Sequence, residues 1–512
     1  VYQLPTAIAS FFAVPEFRLA RPAARLEVET HRRPIPWTLG LAPWALVVLG
    51  GYVVLLGILI PRHEPWFDEA QAWLLARDAS PLQLLTHLLR YEGNPGLWHF
   101  ILMPFAKLGF PYMTLNVIGG IFGALGVYVF LRFAPFPPIV KVLVPFSYFI
   151  FFQYAVVSRS YVMAPLFLFL VAATYARRFD NPYPFFVSLM LLALVSVHGM
   201  LIAGSLVLLH LWELRGRWPA LSSEHRRAQL QSIGAFVALG LILIAILWPA
   251  ADDATVKPGL HFDPLRLRAI FVGVTNHALT ENHFLSPIVF VISIWWFWRR
   301  KVLLLYLVPA TAFLLFAAFK YFSAWHEGFA FLIWLFALWI SFTNGLPFKR
   351  IEERGRLILT AAMLVVLGFH VSWAFNAFRY DFSNPYSGSR AVASYIKANQ
   401  LENQSIYATG FHSISILPYF SRNIFDNFHH KQNPSYWDLT TQNHTVQDVN
   451  RVYDAQPDVI IIGVKFPWQY PFLHFKGLFP GYRYVGVFPG ELYWKTGSLE
   501  KDSFVIWRKD GT

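Results

Sequence analysis

Residues 138–157 read Pro138-Ile-Val-Lys-Val-Leu-Val-Pro-Phe-Ser-Tyr-Phe-Ile-Phe-Phe-Gln-Tyr-Ala-Val-Val157. After Ser158-Arg159-Ser160 a second apolar run goes from Tyr161 to Ala176 and stops at Arg177-Arg178. Each run approaches the about 17–25 residues that cross a roughly 30 Å hydrocarbon core, so the pair reads as a hairpin through a bilayer. Similar runs lie near 38–60, 111–131, 183–198, 200–214, 231–250, 284–298, 302–319, 326–343 and 357–378. The composition agrees. Of 512 residues, 56% are hydrophobic and 14% charged, where a soluble chain carries about 25% charged residues. The 18% aromatic content suits interfacial belts, and the absence of cysteine excludes disulfides, thiolate metal sites and a Cys nucleophile. Disorder and a soluble enzyme are both excluded. The predicted fold is an all-α polytopic membrane domain, 38–378, with about 11 transmembrane helices.

The net charge of +13 reads as topology rather than nucleic-acid binding. Arg18, Arg21, Arg25, Arg32 and Arg33 precede the first run. Arg132 and Lys141, Arg177 and Arg178, and Arg215, Arg217, Arg226 and Arg227 follow at alternate loops. Arg299, Arg300 and Lys301, then Lys349, Arg350, Arg354 and Arg356, complete the set. The opposite loops hold Asp68, Glu69, Asp78, Glu92, Asp252, Asp253, Asp263 and Glu281. The positive-inside rule then puts segment 1–37 in the cytoplasm and 379–512 outside, in an inner or plasma membrane, provided that the apolar stretch 95–108 does not cross. The first apolar run is read as a retained span, since it is too long for a signal peptide and lacks its cleavage site. Beyond 379 the charges are mixed. A helix at 389–400, a strand at Ser405–Gly410, a helix at 447–456, a buried strand at Val459–Gly463, and paired strands at Tyr482–Phe488 and Ser503–Arg508 predict a small external α/β domain.

The first external loop, 61–110, carries polar residues that topology does not need. With 66–77 helical, Trp66, Ala70 and Trp73 share a face, which the interfacial preference of tryptophan would lay on the membrane with Asp68 turned away from lipid. Juxtamembrane helices are expected in this loop, and an ordinary amphipathic surface helix fits equally well. Tyr91-Glu92-Gly-Asn94-Pro95-Gly96-Leu97-Trp98-His99 opens a second apolar stretch. Arg159, set between two apolar runs on the face where positives are scarce, requires a partner. A structural ion pair with Asp68 or Glu69 would also satisfy it.

The ordered set Phe67-Asp68-Glu69-Ala70, Asn94-Pro95-Gly96-Leu97 and Arg159-Ser160-Tyr161 resembles the GT-C superfamily of lipid-linked glycosyltransferases. The likeness is to the protein O-mannosyltransferase and aminoarabinose transferase branch. There an Asp-Glu pair in the first external loop precedes a His-Pro-Pro-Leu-type motif and an Arg followed by Tyr. The second motif departs at two of its four positions.

The resemblance implies a membrane glycosyltransferase moving a sugar from a polyprenyl-phosphate donor to a protein, lipid or glycan acceptor on the external face. An attacking hydroxyl needs a carboxylate to take its proton. Asp68 is the expected general base, with Glu69 either orienting the acceptor or holding a divalent metal. The departing phosphate needs donors at the membrane boundary: Arg159 with Tyr161, and Lys320, Tyr321 and His326 in one short turn. Glu92, Asn94 and His99 are expected to line the substrate site. Loop 251–283, with Lys257, His261, His277 and His283, could cover bound donor, and its histidine spacing matches no metal template. No phosphate-binding loop or dinucleotide fingerprint is present, and no nucleic acid is expected as partner. Two other classes stay open: a lipid or solute transporter, which would carry paired intramembrane charges, and a non-catalytic subunit of a larger membrane complex.

Overall fold

A computed structural model describes residues 40–254, 264–344, 346–347, 350–441 and 449–511. Segment 1–37 lies outside the described residues, as do Lys257, His261, Asp263 and Lys349. Residues from Leu41 onward form one unit.

Apolar sequence folds as helix because a helix satisfies its own backbone hydrogen bonds where no water can. The first helices are α1 (Pro43–Leu59), α2 (Phe67–Asp78), α3 (Leu97–Lys107) and α4 (Thr114–Phe133). Next come α5 (Pro138–Val156), α6 (Ser160–Arg177), α7 (Pro182–Ala193), α8 (Val197–Ala220) and α9 (Ser223–Leu247). Then follow α10 (Pro264–Leu279), α11 (Leu285–Arg299), α12 (Leu303–Phe319), α13 (Ala324–Thr343) and α14 (Arg350–Ser383). Among the described residues, α4, α5, α6, α8, α9, α13 and α14 are the 7 helices long and apolar enough to cross a membrane, and α1, α7, α11 and α12 are shorter apolar helices. Each overlaps one apolar stretch read from the sequence. The 11 residues of α3 span about 16 Å, too little to cross.

The loops sort by contact into two sets. Asp68 meets Arg159, Tyr91 meets Asp252, and Gln71 meets the Trp437 backbone. At the other end Arg178 meets Glu213, Arg300 meets Asn344, and Lys141 meets the Leu131 carbonyl. A chain that crosses back and forth produces this sorting. One helix is irregular for a clear reason. Pro145 lacks the N–H that an α-helix needs, and α5 tightens at Val144–Phe146, then widens into a π-helix over Phe149–Val156. That widened turn delivers the chain to Ser158-Arg159.

One expectation is corrected here. The tryptophans of the first loop do not lie on lipid: Trp66, Ala70 and Trp73 are buried, because α3 and the 3-10 segment Phe411–Tyr419 pack over α2. Loop 251–283 contains a helix that was not expected, α10 (Pro264–Leu279), packed on α12 and α13.

Helix α14 continues through the expected boundary at 378 and ends at Ser383. Helix α15 (Ser389–Ala398) precedes strands β1 (Ile406–Thr409), β2 (Val459–Val464), β3 (Tyr482–Phe488) and β6 (Ser503–Lys509). They form one sheet in the order β1-β2-β6-β3, with β1 parallel to β2 and the other pairs antiparallel. All of β2 is buried, as its unbroken apolar run requires. A separate hairpin, β4 (Glu491–Tyr493) with β5 (Leu499–Lys501), was not legible in the sequence.

Candidate active site

Helix α2 begins after Trp66 and places Asp68 and Glu69 in its first turn, where carboxylates complement the helix dipole. Their side chains go separate ways. Asp68 Oδ2 lies 2.8 Å from an Arg159 guanidinium nitrogen, with 22% and 19% of the two side chains exposed. The Arg159 guanidinium also sits 5.0 Å above the Tyr161 ring and 5.8 Å above Trp325. Burial pushes the Asp68 carboxyl above the usual carboxylate range, against the pull of Arg159 and of Lys465.

Glu69 faces inward and is fully buried. Its Oε1 accepts from the Asn116 side chain at 2.9 Å and from the Ser158 backbone N–H at 2.7 Å. Its Oε2 accepts from His63 at 3.2 Å and from the Trp66 backbone N–H at 3.3 Å. With both oxygens saturated by protein donors, Glu69 has no lone pair directed at an acceptor or a metal. The expectation of either role is corrected: Glu69 is a bracket that ties α2 to α4 and to the Arg159 turn. The approach also requires Gly119, where a Cβ would collide with the Ser158 hydroxyl.

His63 continues the bracket by donating from Nδ1 to Asp381 at 2.9 Å. Burial alone would lower its pKa, but the charges and hydrogen bonds of Asp381 and Glu69 raise it from 6.5 to about 10. The folded value stands above the free one, so the imidazolium stabilises fully below about pH 6.5 and loses that contribution as pH rises toward 10. The melting temperature is expected to fall between pH 7 and 10, and His63→Gln to flatten that slope in a pH series of melts.

The other expected residues divide. Asn94 accepts from the Ser160 hydroxyl at 2.9 Å, so the second motif meets the third. Gly96 has φ +91° at the start of α3, a conformation closed to proline, so this turn takes a path that a Pro-Pro pair cannot follow. Glu92 accepts from Gln71 at 2.9 Å, and burial with the neighbouring Asp68 charge raises its pKa to about 7. Tyr161 and His326 share a 3.0 Å hydrogen bond beneath the Arg159 guanidinium, and Tyr321 lies edge-on to His326. Lys320 caps the end of α12 beside Tyr321. His99 is corrected: it is buried within α3, and burial lowers its pKa to about 4, leaving a neutral core imidazole.

Sequence reasoning missed two lysines. Lys465, just past β2, holds its ammonium 4.7 Å over the Trp66 ring and 2.8 Å from Glu500. Trp66 stacks on Trp325 at 5.2 Å, so Lys465 and Arg159 flank one aromatic pair. Lys495, in the β4–β5 turn beside Trp494, reaches Glu281 at 3.0 Å, the His277 carbonyl at 2.9 Å and Glu327. His277, Glu281 and Glu327 offer ligand atoms within 4.8 Å of one another, but the Lys495 ammonium already stands among them. Only contact could have revealed either lysine, since both lie in a segment where charges of both signs are common.

No family model matches the sequence, and no curated protein matches it. The fold is similar to that in the crystal structure of ArnT from Cupriavidus metallidurans bound to undecaprenyl phosphate. The likeness covers 92% of this chain and 98% of that one, at 13% identity and a TM-score of 0.48.

Proposed function

We propose that this chain is an integral-membrane glycosyltransferase that takes a sugar from a polyprenyl-phosphate donor and gives it to an acceptor on the external face. In this reading all eleven apolar helices cross, segment 1–37 is cytoplasmic, and residues 379–512 form an external domain. The observation that carries it is the 2.8 Å ion pair of Asp68 with Arg159, which unites two motifs of the ordered set at a spot water can reach.

The acceptor hydroxyl attacks the anomeric carbon as the bond from that carbon to the lipid phosphate oxygen breaks. The hydroxyl proton passes to Asp68, whose raised pKa favours acceptance. The electron pair leaves with the phosphate, stabilised by the Arg159 nitrogens not engaged by Asp68 and by the Lys465 ammonium. In this reading Glu92, Asn94, Tyr161, Tyr321 and Lys320 serve as substrate contacts, and His326, buried beneath Arg159, holds the Tyr161 hydroxyl. Glu69 acts through Ser158 as a positioning residue.

Binding of a short-chain polyprenyl phosphate to the purified protein tests the donor assignment. Losing one charge-assisted contact in Arg159→Gln is expected to weaken binding about tenfold or more. Equal affinity in the variant and the parent would remove Arg159 from the phosphate site.

A further inference from the structure

Across α2 from Asp68 the chain encloses a second space. At about 100° per residue, Trp73 and Arg77 lie roughly 140° and 180° around the helix from Asp68. Both line a cavity of about 500 Å³ whose other walls include Tyr112, Met113, Arg390 and Tyr419. That volume is within the range of about 300–1,000 Å³ typical of small-ligand sites. The cavity is bounded by Pro61, just beyond α1, and by residues 109–113, just before α4. It therefore opens where two apolar helices emerge, and at its rim Phe110 and Met113 are 48% and 41% exposed.

The polar groups inside are not all spent. Arg77 is tied to Asp78, to the Phe420 carbonyl at 2.7 Å and to the Ser435 hydroxyl at 2.7 Å. Arg390 is less committed. It donates to the His63 carbonyl at 3.0 Å and has an ionic contact with Glu64 at 3.9 Å, and 38% of its side chain is exposed. Burial raises the Glu64 pKa to about 7, and the Arg390 charge also acts on Asp381 and on the Tyr419 hydroxyl. Tyr112 is 6% exposed, and its hydroxyl has no hydrogen-bond partner among the described residues. The Tyr419 ring packs edge-on against it at 5.4 Å. A partly exposed guanidinium thus lines this space beside an apolar, exposed lip.

We infer that this groove binds the anionic headgroup of a membrane phospholipid, its phosphate against Arg390 and its chains along Phe110 and Met113. Arginine suits phosphate through paired N–H donors, and anionic lipids are drawn to cations at the membrane surface. The site stands apart from Asp68 and does not rest on the transfer reading.

Native mass spectrometry of the full chain, delipidated in neutral detergent and offered equal phosphatidylglycerol and phosphatidylcholine, tests this. The parent is expected to retain phosphatidylglycerol about fivefold over phosphatidylcholine, the ratio given by one cation near an anionic lipid. Arg390→Gln should abolish the preference, and Arg390→Lys should keep much of it. Met113→Trp, at the exposed lip, should reduce retention of phosphatidylglycerol without lowering the melting temperature of the lipid-free protein, and it decides the matter if Arg390→Gln does not fold. Equal retention of the two lipids by the parent, or an undiminished preference in both Arg390→Gln and Met113→Trp, would overturn the inference. So would displacement of the lipid by millimolar inorganic phosphate, which would assign the groove to a free anion.

Discussion

If the proposed transfer runs through Asp68, Asp68→Asn is expected to lower it by about 10²–10⁴-fold, the usual contribution of a positioned proton acceptor, while the fold survives. Asparagine keeps the shape and an oxygen for the Arg159 guanidinium, but it cannot take a proton from an attacking hydroxyl. The structural cost is small for two reasons. The amide oxygen still accepts from the guanidinium, so no buried donor loses its partner, and Arg159 keeps its position over Tyr161 and Trp325. Transfer from a lipid-linked sugar, measured beside a melting curve, separates the two effects. Undiminished transfer in the variant would show that another group is the base. Glu92, with its pKa raised to about 7 close to Asp68, would be the next residue to replace. A loss of transfer accompanied by collapse of the melting curve would instead make Asp68 a structural residue.

The pairing of Asp68 with Arg159 was legible in the sequence because both are ionisable groups stranded among apolar runs. Desolvation makes such groups expensive alone, which narrows the choice of partner to the few opposite charges on the same side. The helices were legible for the same reason, since a bilayer demands long unbroken apolar runs. What covers α2 was not legible. Trp66 and Trp73 have the spacing of an interfacial stripe, and nothing in residues 66–77 announces that Phe411–Tyr419 and Trp325 will bury them. Helix α10 was concealed by Arg266 and Arg268, which break the apolar run of Pro264–Leu279. The bracket ties the neighbours His63 and Glu69 to Asp381, 318 positions from His63, and no local periodicity encodes such a meeting. Lys465 and Lys495 belong to a mixed-charge segment where a lysine is the expected surface residue.

Glu69→Gln is expected to behave in the opposite way to Asp68→Asn, losing stability as well as activity. Glutamine has the size of glutamate but presents one acceptor oxygen where the site supplies four donors: Asn116, the Ser158 and Trp66 amides, and His63. Its NH₂ group must face two of them, and the His63 imidazolium keeps only Asp381 as a counter-charge. Breaking a buried charged network by changing one partner costs about 3–5 kcal/mol, more than Asp68→Asn, which leaves Arg159 an oxygen to bond. The loss of the Ser158 contact also frees the residue before Arg159, so turnover falls even in the fraction that stays folded. A second substitution tests whether the network is the cause. In Glu69→Gln/His63→Gln the unbalanced imidazolium is gone, so the double variant should be less damaged than the sum of the single ones. Strict additivity in melting experiments, or a Glu69→Gln protein that melts like the parent, would mean that the bracket does not hold α2 in place.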